Sequence, residues 1–263
     1  MEQIARAFEK VKAQSPLVHS ITNYVVMNNT ANALLALGAS PIMAHAKSEM
    51  DDMVGIVGAL VVNIGTLDEY WVDSMLSASQ KAKSLGKPVI LDPVGAGATP
   101  FRNQTLTQLI QNKPDIIRGN ASEIMALASV NIKSKGVDST NSSDEALDAG
   151  IRLSNETGAV VCISGEVDYI IKGDKIGKIK NGNPLMAKVT GMGCTASALV
   201  GAFAAVEKDL FVATMAAMAV MGVAGDLAAE KAEGPGTLQL HFYDALYQLS
   251  PSKLADTAIV EYN

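Results

Sequence analysis

Five short apolar runs recur along this chain, each closed by a polar residue or glycine: 41–44 (PIMA), 59–64 (ALVVNI), 87–92 (KPVILD), 115–118 (DIIR) and 159–164 (AVVCIS). Runs that are apolar throughout, rather than at alternate positions, belong to strands buried on both faces, and such strands pair in parallel sheets covered by helices. The intervening segments carry helical patterns at 28–37, 67–85, 103–111, 121–127 and 143–157. After Cys194 the chain reads as helix throughout (195–206, 210–231, 236–249), with Gly234-Pro235-Gly236 separating the last two. Residues 167–171 and 175–179 flank Gly173-Asp174 as a polar hairpin, expected at an antiparallel edge. No repeat or low-complexity linker divides the chain, and the polar stretch 133–143 (KSKGVDSTNSS) is too short to mark a boundary. The expectation is one α/β layer sandwich over residues 1–263.

Hydrophobic residues make up 48% of the chain and charged residues 18%, so a large core is available beneath a bland surface. Aromatics at 5% leave close helix packing to Ala, Gly and Leu. A formal charge of −6, with no dense Lys/Arg run, argues against a nucleic-acid partner. The longest apolar stretch, 210–224, is bounded by Asp209 and Asp226, which fits a buried helix rather than a membrane span. Cys162 and Cys194 make no disulfide framework, and the first residues (MEQIARAFEKVKAQSP) form an amphipathic helix without the apolar core of a signal peptide. A cytoplasmic protein with no membrane partner is expected.

In open parallel sheets the loops beyond the strand carboxyl ends build the site, and the polar residues of interest fall at such ends. KVTGMGCTASA at 188–198 leads into a helix, so the turn before it would gather free backbone N–H groups at a positive dipole end, with Cys194 at the mouth. It lacks the Lys of a Walker A loop and the full glycine pattern of a dinucleotide fingerprint. The alternative is a tight glycine turn with a buried cysteine. Asp92, before the glycine-rich PVGAGATP, is set to organise Mg²⁺ or its waters beside phosphates, or else to cap its own turn. In IIRGNASEI, Arg118 suits phosphate oxygens, Asn120 a polar ligand and Glu123 a hydrated metal; equally, Asn120 and Glu123 have the spacing of a reciprocal helix cap. Asn23 lies in a segment that mixes polar and apolar side chains as no simple helix requires. Met43 offers a soft thioether to a small ligand, or ordinary core packing. His19 and His45 have no third ligand at zinc spacing.

Taken in order, HSITNYVVMNNTANALLALGASPIM, LVVNIGTL, PVILDPVGAGAT, IIRGNASEI and VTGMGCTASA resemble the hydroxyethylthiazole kinase family, from His19 to the last helices. The resemblance implies a ribokinase-like three-layer α/β/α sandwich with a mostly parallel central sheet. It implies a homotrimer with substrate pockets between subunits, and ATP- and Mg²⁺-dependent phosphorylation of the alcohol of 4-methyl-5-(2-hydroxyethyl)thiazole in thiamine salvage. It implies substrate contacts at Met43 and Gly191, with Asn23 lining the thiazole pocket. Nucleotide contacts fall at Arg118 and Ser164, with Asn120 beside them, and Asp92 and Glu123 lie around Mg²⁺ and the phosphates. Some relatives carry Thr at the position matched by Ser164, which keeps the hydroxyl. Cys194 falls where many members of the superfamily carry an Asp base, a position at which this family can carry Cys. Rival readings are a kinase for a hydroxymethylpyrimidine or another small alcohol, a nucleotide sensor without turnover, and a cysteine hydrolase.

Overall fold

The computed structural model describes residues 1–133 and 145–263. Among them nine strands form one sheet in the order β2-β1-β3-β4-β5-β6-β7-β8-β9. Six are parallel: β1 (Leu17–Ile21), β2 (Ser40–Ile42), β3 (Ala59–Asn63), β4 (Val89–Asp92), β5 (Ile116–Asn120) and β6 (Val160–Ser164). Three antiparallel strands extend the far side: β7 (Asp168–Lys172), β8 (Lys175–Ile179) and β9 (Val260–Tyr262).

The five apolar runs are all strands, with shifted ends. PIMA pairs only through Ile42, which leaves Met43 just beyond β2. DIIR continues through Gly119 and Asn120 to make β5. β1, whose sequence LVHSI interrupts its apolar residues with His19 and Ser20, was not among the expected strands, nor was the short, exposed β9. Because β9 pairs with β8, the hairpin lies inside the sheet instead of forming the expected antiparallel edge. Of the helix expected at 143–157, residues 145–157 are helical; the first two residues, and the polar stretch 134–143, lie outside the described residues.

Strand side chains alternate between two cores. Ala59 and Val61 of β3 join the first core, Leu60 and Val62 the second. The first is covered by α1 (Glu2–Gln14), α2 (Met27–Leu37), α8 (Met192–Ala204), α9 (Leu210–Ala229), α10 (Pro235–Gln248) and α11 (Pro251–Thr257). The second lies under α3 (Met50–Ile56), α4 (Glu69–Ser84), α5 (Pro100–Gln111), α6 (Ala121–Lys133) and α7 (Glu145–Thr157). The result is the expected three-layer α/β/α sandwich.

α9 is long and apolar enough to cross a membrane, but every residue from Phe211 to Gly225 is buried within the protein. It is the inner helix of the first layer, hydrophobic all round because it is enclosed all round. α8 packs on β1, β3 and β4. A Cβ on Gly201 would fall 2.5 Å from Val61 Cγ2, so glycine is what lets α8 lie this close to the sheet. That close approach carries the N-terminus of α8 over the carboxyl ends of the central strands.

Candidate active site

The helix after the glycine turn starts earlier than its sequence suggests. α8 begins at Met192, with Gly191 as its N-cap at φ 83°, ψ 1°, so Gly193 and Cys194 stand in its first turn rather than in the loop before it. The left-handed cap is one that glycine adopts without penalty. A Cβ at Gly191 would also collide with Val26 Cγ1, in the loop after β1. Gly193 is open: a Cβ there would lie 3.6 Å from Arg118 Nη1 and 3.8 Å from Nη2. The guanidinium of Arg118 and the free N–H groups of the first turn of α8 therefore meet at one place. Arg118 is 5% exposed, and its Nε has no hydrogen-bond partner. A buried cation with an unused donor beside a helix N-terminus has the chemistry that suits an anion.

A line of buried polar side chains runs from this place across the strand ends. Arg118 Nη1 donates to Ser197 Oγ at 3.3 Å, and Ser197 Oγ donates to Asp92 Oδ2 at 2.8 Å. Asn63 Nδ2 donates to the same oxygen at 2.7 Å. Asn63 Oδ1 accepts from Asn23 Nδ2 at 2.9 Å, and Asn23 Nδ2 also approaches Cys194 Sγ at 3.5 Å. Two backbone N–H groups, which can only donate, fix the direction of this line. Gly65 N donates to Asn63 Oδ1 at 2.9 Å and Val25 N to Asn23 Oδ1 at 3.1 Å. Both amides are thereby oriented with their NH₂ groups toward Asp92 and Cys194 respectively.

Of the residues singled out in the sequence, Asn23, Asp92, Arg118 and Cys194 belong to this line. Asn63 and Ser197 were missed, although both are at least 99% buried and join its two halves. Glu123 accepts from Gly95 N at 3.0 Å and Asn120 N at 2.9 Å, while Asn120 Oδ1 accepts from Glu123 N at 2.9 Å. The reciprocal cap is thus real, and Glu123 also holds the glycine-rich loop after β4. Ser164 ends β6 in register with Asn120, and its hydroxyl donates to Gly119 O at 3.3 Å. Met43 stands at the same end of the sheet but beyond its outermost strand, β2, and the line does not reach it. Its loop is tied down by His19, whose Nε2 donates to Ala44 O at 2.8 Å.

Arg102 of α5 fastens the floor. It donates to the carbonyls of Ile64, of Val94 at 2.8 Å and of Gly65 at 2.7 Å, so one guanidinium grips the chain leaving β3 and the chain leaving β4.

The electrostatics follow from burial. Asp92 is pushed up to about 6 by desolvation, opposed by the charge of Arg118 and the Ser197 hydrogen bond, with a further upward push from Glu123. Asp168, at the start of β7, is pushed up to about 6 by burial, opposed by the charge of Arg118 and the hydrogen bond from Gly165 N. The Cys194 thiol is raised by burial and then by the charge of Asp92, and the hydrogen bonds of Asn63 and Asn23 only partly offset this. Cys194 is therefore a neutral thiol near pH 7 that accepts from Asn23.

Asp92 Oδ2 takes both donors, so Oδ1 is the oxygen without a protein partner among the described residues. No group of three His, Cys, Asp or Glu gathers as a metal site among the described residues. A donor set this sparse fits Mg²⁺, which keeps several waters and needs only one or two carboxylates beside phosphate oxygens.

A sequence model of the hydroxyethylthiazole kinase family matches residues 8–252. The chain is 59% identical over 251 residues to the hydroxyethylthiazole kinase of Syntrophus aciditrophicus (strain SB), covering 95% of this chain and 93% of that protein. The structure of the hydroxyethylthiazole kinase protein from Pyrococcus horikoshii OT3 superposes with a TM-score of 0.93 at 41% identity over the whole of both chains. Pyridoxal kinase from Staphylococcus aureus in complex with AMP-PCP superposes with a TM-score of 0.66 over 94% of this chain and 98% of that one; at 14% identity this is a likeness of fold. On its sequence and on its ribokinase-like architecture alike, the chain belongs to the hydroxyethylthiazole kinase family.

Proposed function

We infer that this protein is an ATP-dependent kinase that phosphorylates the hydroxyl of 4-methyl-5-(2-hydroxyethyl)thiazole, in thiamine biosynthesis and salvage. Family membership supports the reaction. The observation that ties it to this chain is the buried line from Cys194 through Asn23, Asn63, Asp92 and Ser197 to Arg118, which ends where Arg118 meets the N-terminus of α8.

The acceptor alcohol binds near Asn23, Met43 and Gly191. Its oxygen bonds to the γ-phosphorus as the bond from that phosphorus to the β-phosphate oxygen breaks. Arg118 and the backbone N–H groups of α8 offset the charge on the transferring group, and they are oriented before substrate arrives. Arg118, Asn120 and Ser164 serve the nucleotide. Asp92 and Glu123 would hold a largely hydrated Mg²⁺, which neutralises phosphate charge when bound. The hydroxyl proton leaves with the product phosphate or to water. Cys194 contributes a hydrogen bond that orients the alcohol and acts as a base only weakly, because its thiolate is disfavoured by burial and by Asp92. Holding the two reactants in line supplies much of the rate.

Residues 1–263 act as a single kinase domain, and the working form is a homotrimer with acceptor pockets between subunits. The exposed Tyr24 and Val25, next to Asn23, support a partner covering that rim. Two free cysteines support a cytoplasmic setting. The test is coupled ADP release from Mg²⁺-ATP. ADP should appear only when both the thiazole alcohol and Mg²⁺ are present. ATP binding without ADP release under those conditions would instead mark a nucleotide sensor.

A further inference from the structure

The first turn of α4 lies outside the polar line, yet it holds both loops that carry the acceptor contacts. Trp71 is 2% exposed, and its backbone N–H donates to Oδ1 of the N-cap Asp68 at 2.8 Å. Its indole packs against rings from two different loops. Tyr24, after β1, has its ring centroid 4.8 Å away at 43°, and His45, after β2, lies 4.6 Å away at 34°. The residues around Trp71 secure the same loops. Tyr24 N donates to Thr66 Oγ1 at 3.1 Å, just before α4. Lys47 N donates to Tyr70 Oη at 3.1 Å, and Lys47 Nζ pairs with Asp73 at 2.8 Å. Asn23 directly precedes Tyr24, and Met43 lies two residues before His45.

An indole is planar and stiff, and tilted ring pairs at these separations are attractive. A stiff ring that packs against a ring of each segment therefore constrains how those segments sit relative to one another. We propose that Trp71 is a positioning residue for the acceptor: as a rigid spacer packed against both Tyr24 and His45, it fixes the relative placement of the Asn23 and Met43 loops. The proposal rests on the reading of those two loops as the acceptor walls. It assigns Trp71 no contact with the phosphate end, where Asp92 and Arg118 stand, so its effect falls on one substrate only.

Trp71 is the one tryptophan in the sequence, so its emission reports on this packing directly. The experiment combines emission titrations of the native protein with steady-state kinetics of Trp71→Leu and Trp71→Phe, each checked by thermal melting. The thiazole alcohol alone should change the emission saturably, and Mg²⁺-ADP alone should not. Trp71→Leu should raise the acceptor KM roughly tenfold while the ATP KM stays within twofold, and Trp71→Phe, which keeps a ring, should recover most of the loss. An acceptor KM unchanged in folded Trp71→Leu, or equal rises in both KM values, would overturn the spacer role. So would alcohol binding seen by calorimetry without a change in emission. Absence of ADP release from the native protein would count against the functional reading itself, whereas a native protein that turns over with unaffected variants counts only against Trp71. If Trp71→Leu does not fold, Trp71→Phe and the native titration still decide the matter.

Discussion

Asn63 and Asp92 end neighbouring parallel strands in register, and the amide of the first donates to the carboxylate of the second at 2.7 Å. The other end of the same amide holds Asn23, so one side chain orients both the candidate metal carboxylate and the candidate acceptor contact.

Asn63→Asp keeps the shape and the oxygen that accepts from Gly65 and Asn23, but replaces the donor facing Asp92 with a second acid. Charge-assisted hydrogen bonds contribute about 1.5–3 kcal/mol, so kcat/KM should fall roughly 10- to 100-fold while the protein stays folded. Coupled ADP release with parallel melting curves measures this. Kinetics within twofold of the native protein would show that the amide has no positioning role.

Cys194→Ala should slow turnover at saturating substrates without abolishing it, by about 3- to 30-fold, the range of a neutral hydrogen bond with its desolvation. Cys194→Ser, which keeps a donor, should recover part of the loss. Burial and Asp92 hold the thiol above its usual range, so no thiolate limb should appear in the rate between pH 6 and 8. A rate in Cys194→Ala equal to the native one would remove the residue from proton handling and positioning alike.

Asp92 binds a proton in the folded protein up to about pH 6, against 3.8 for the ordinary group. Between these values the native state holds more protons than the unfolded one, so this carboxylate makes stability fall as pH rises through that window. Asp92→Asn removes the ionisable group, and one amide oxygen can still accept from Asn63 and Ser197. Without Mg²⁺ and nucleotide, the melting temperature of the variant should gain on that of the native protein from pH 4 to pH 7, while kinase activity is lost. A gap that does not change with pH would refute the burial argument.

Gly191→Ala meets two obstacles at once: a left-handed φ of 83° and the side chain of Val26. The first alone costs about 1–2 kcal/mol, and the clash displaces either the first turn of α8 or the loop after β1. The melting temperature should drop by several degrees and activity by more than tenfold. A variant as stable and active as the native protein would show that the turn relaxes freely.

What could be read from the sequence depended on whether a residue's role is local. The apolar runs at 59–64 and 159–164 are strands because burial on both faces leaves its mark in the run itself. The Asn120/Glu123 cap was visible as a three-residue spacing, though not the bond from Gly95 that also engages Glu123. β1 escaped notice because His19 and Ser20 interrupt it, and the first turn of α8 because Gly193 and Cys194 are poor helix formers. Asn63 and Ser197 carried no local signal at all. An asparagine at a strand end and a serine in an apolar helix acquire meaning only when β3 lies beside β4, and when residues 105 apart in sequence meet at Asp92.

Arg102 has a mechanical consequence. Because its guanidinium bolts the exits of β3 and β4 to the same helix, Asn63 and Asp92 rest on a shared, cross-tied floor. The arrangement is that of an anvil rather than a jaw: the buried side chains at the strand ends are fastened to one another before any substrate arrives.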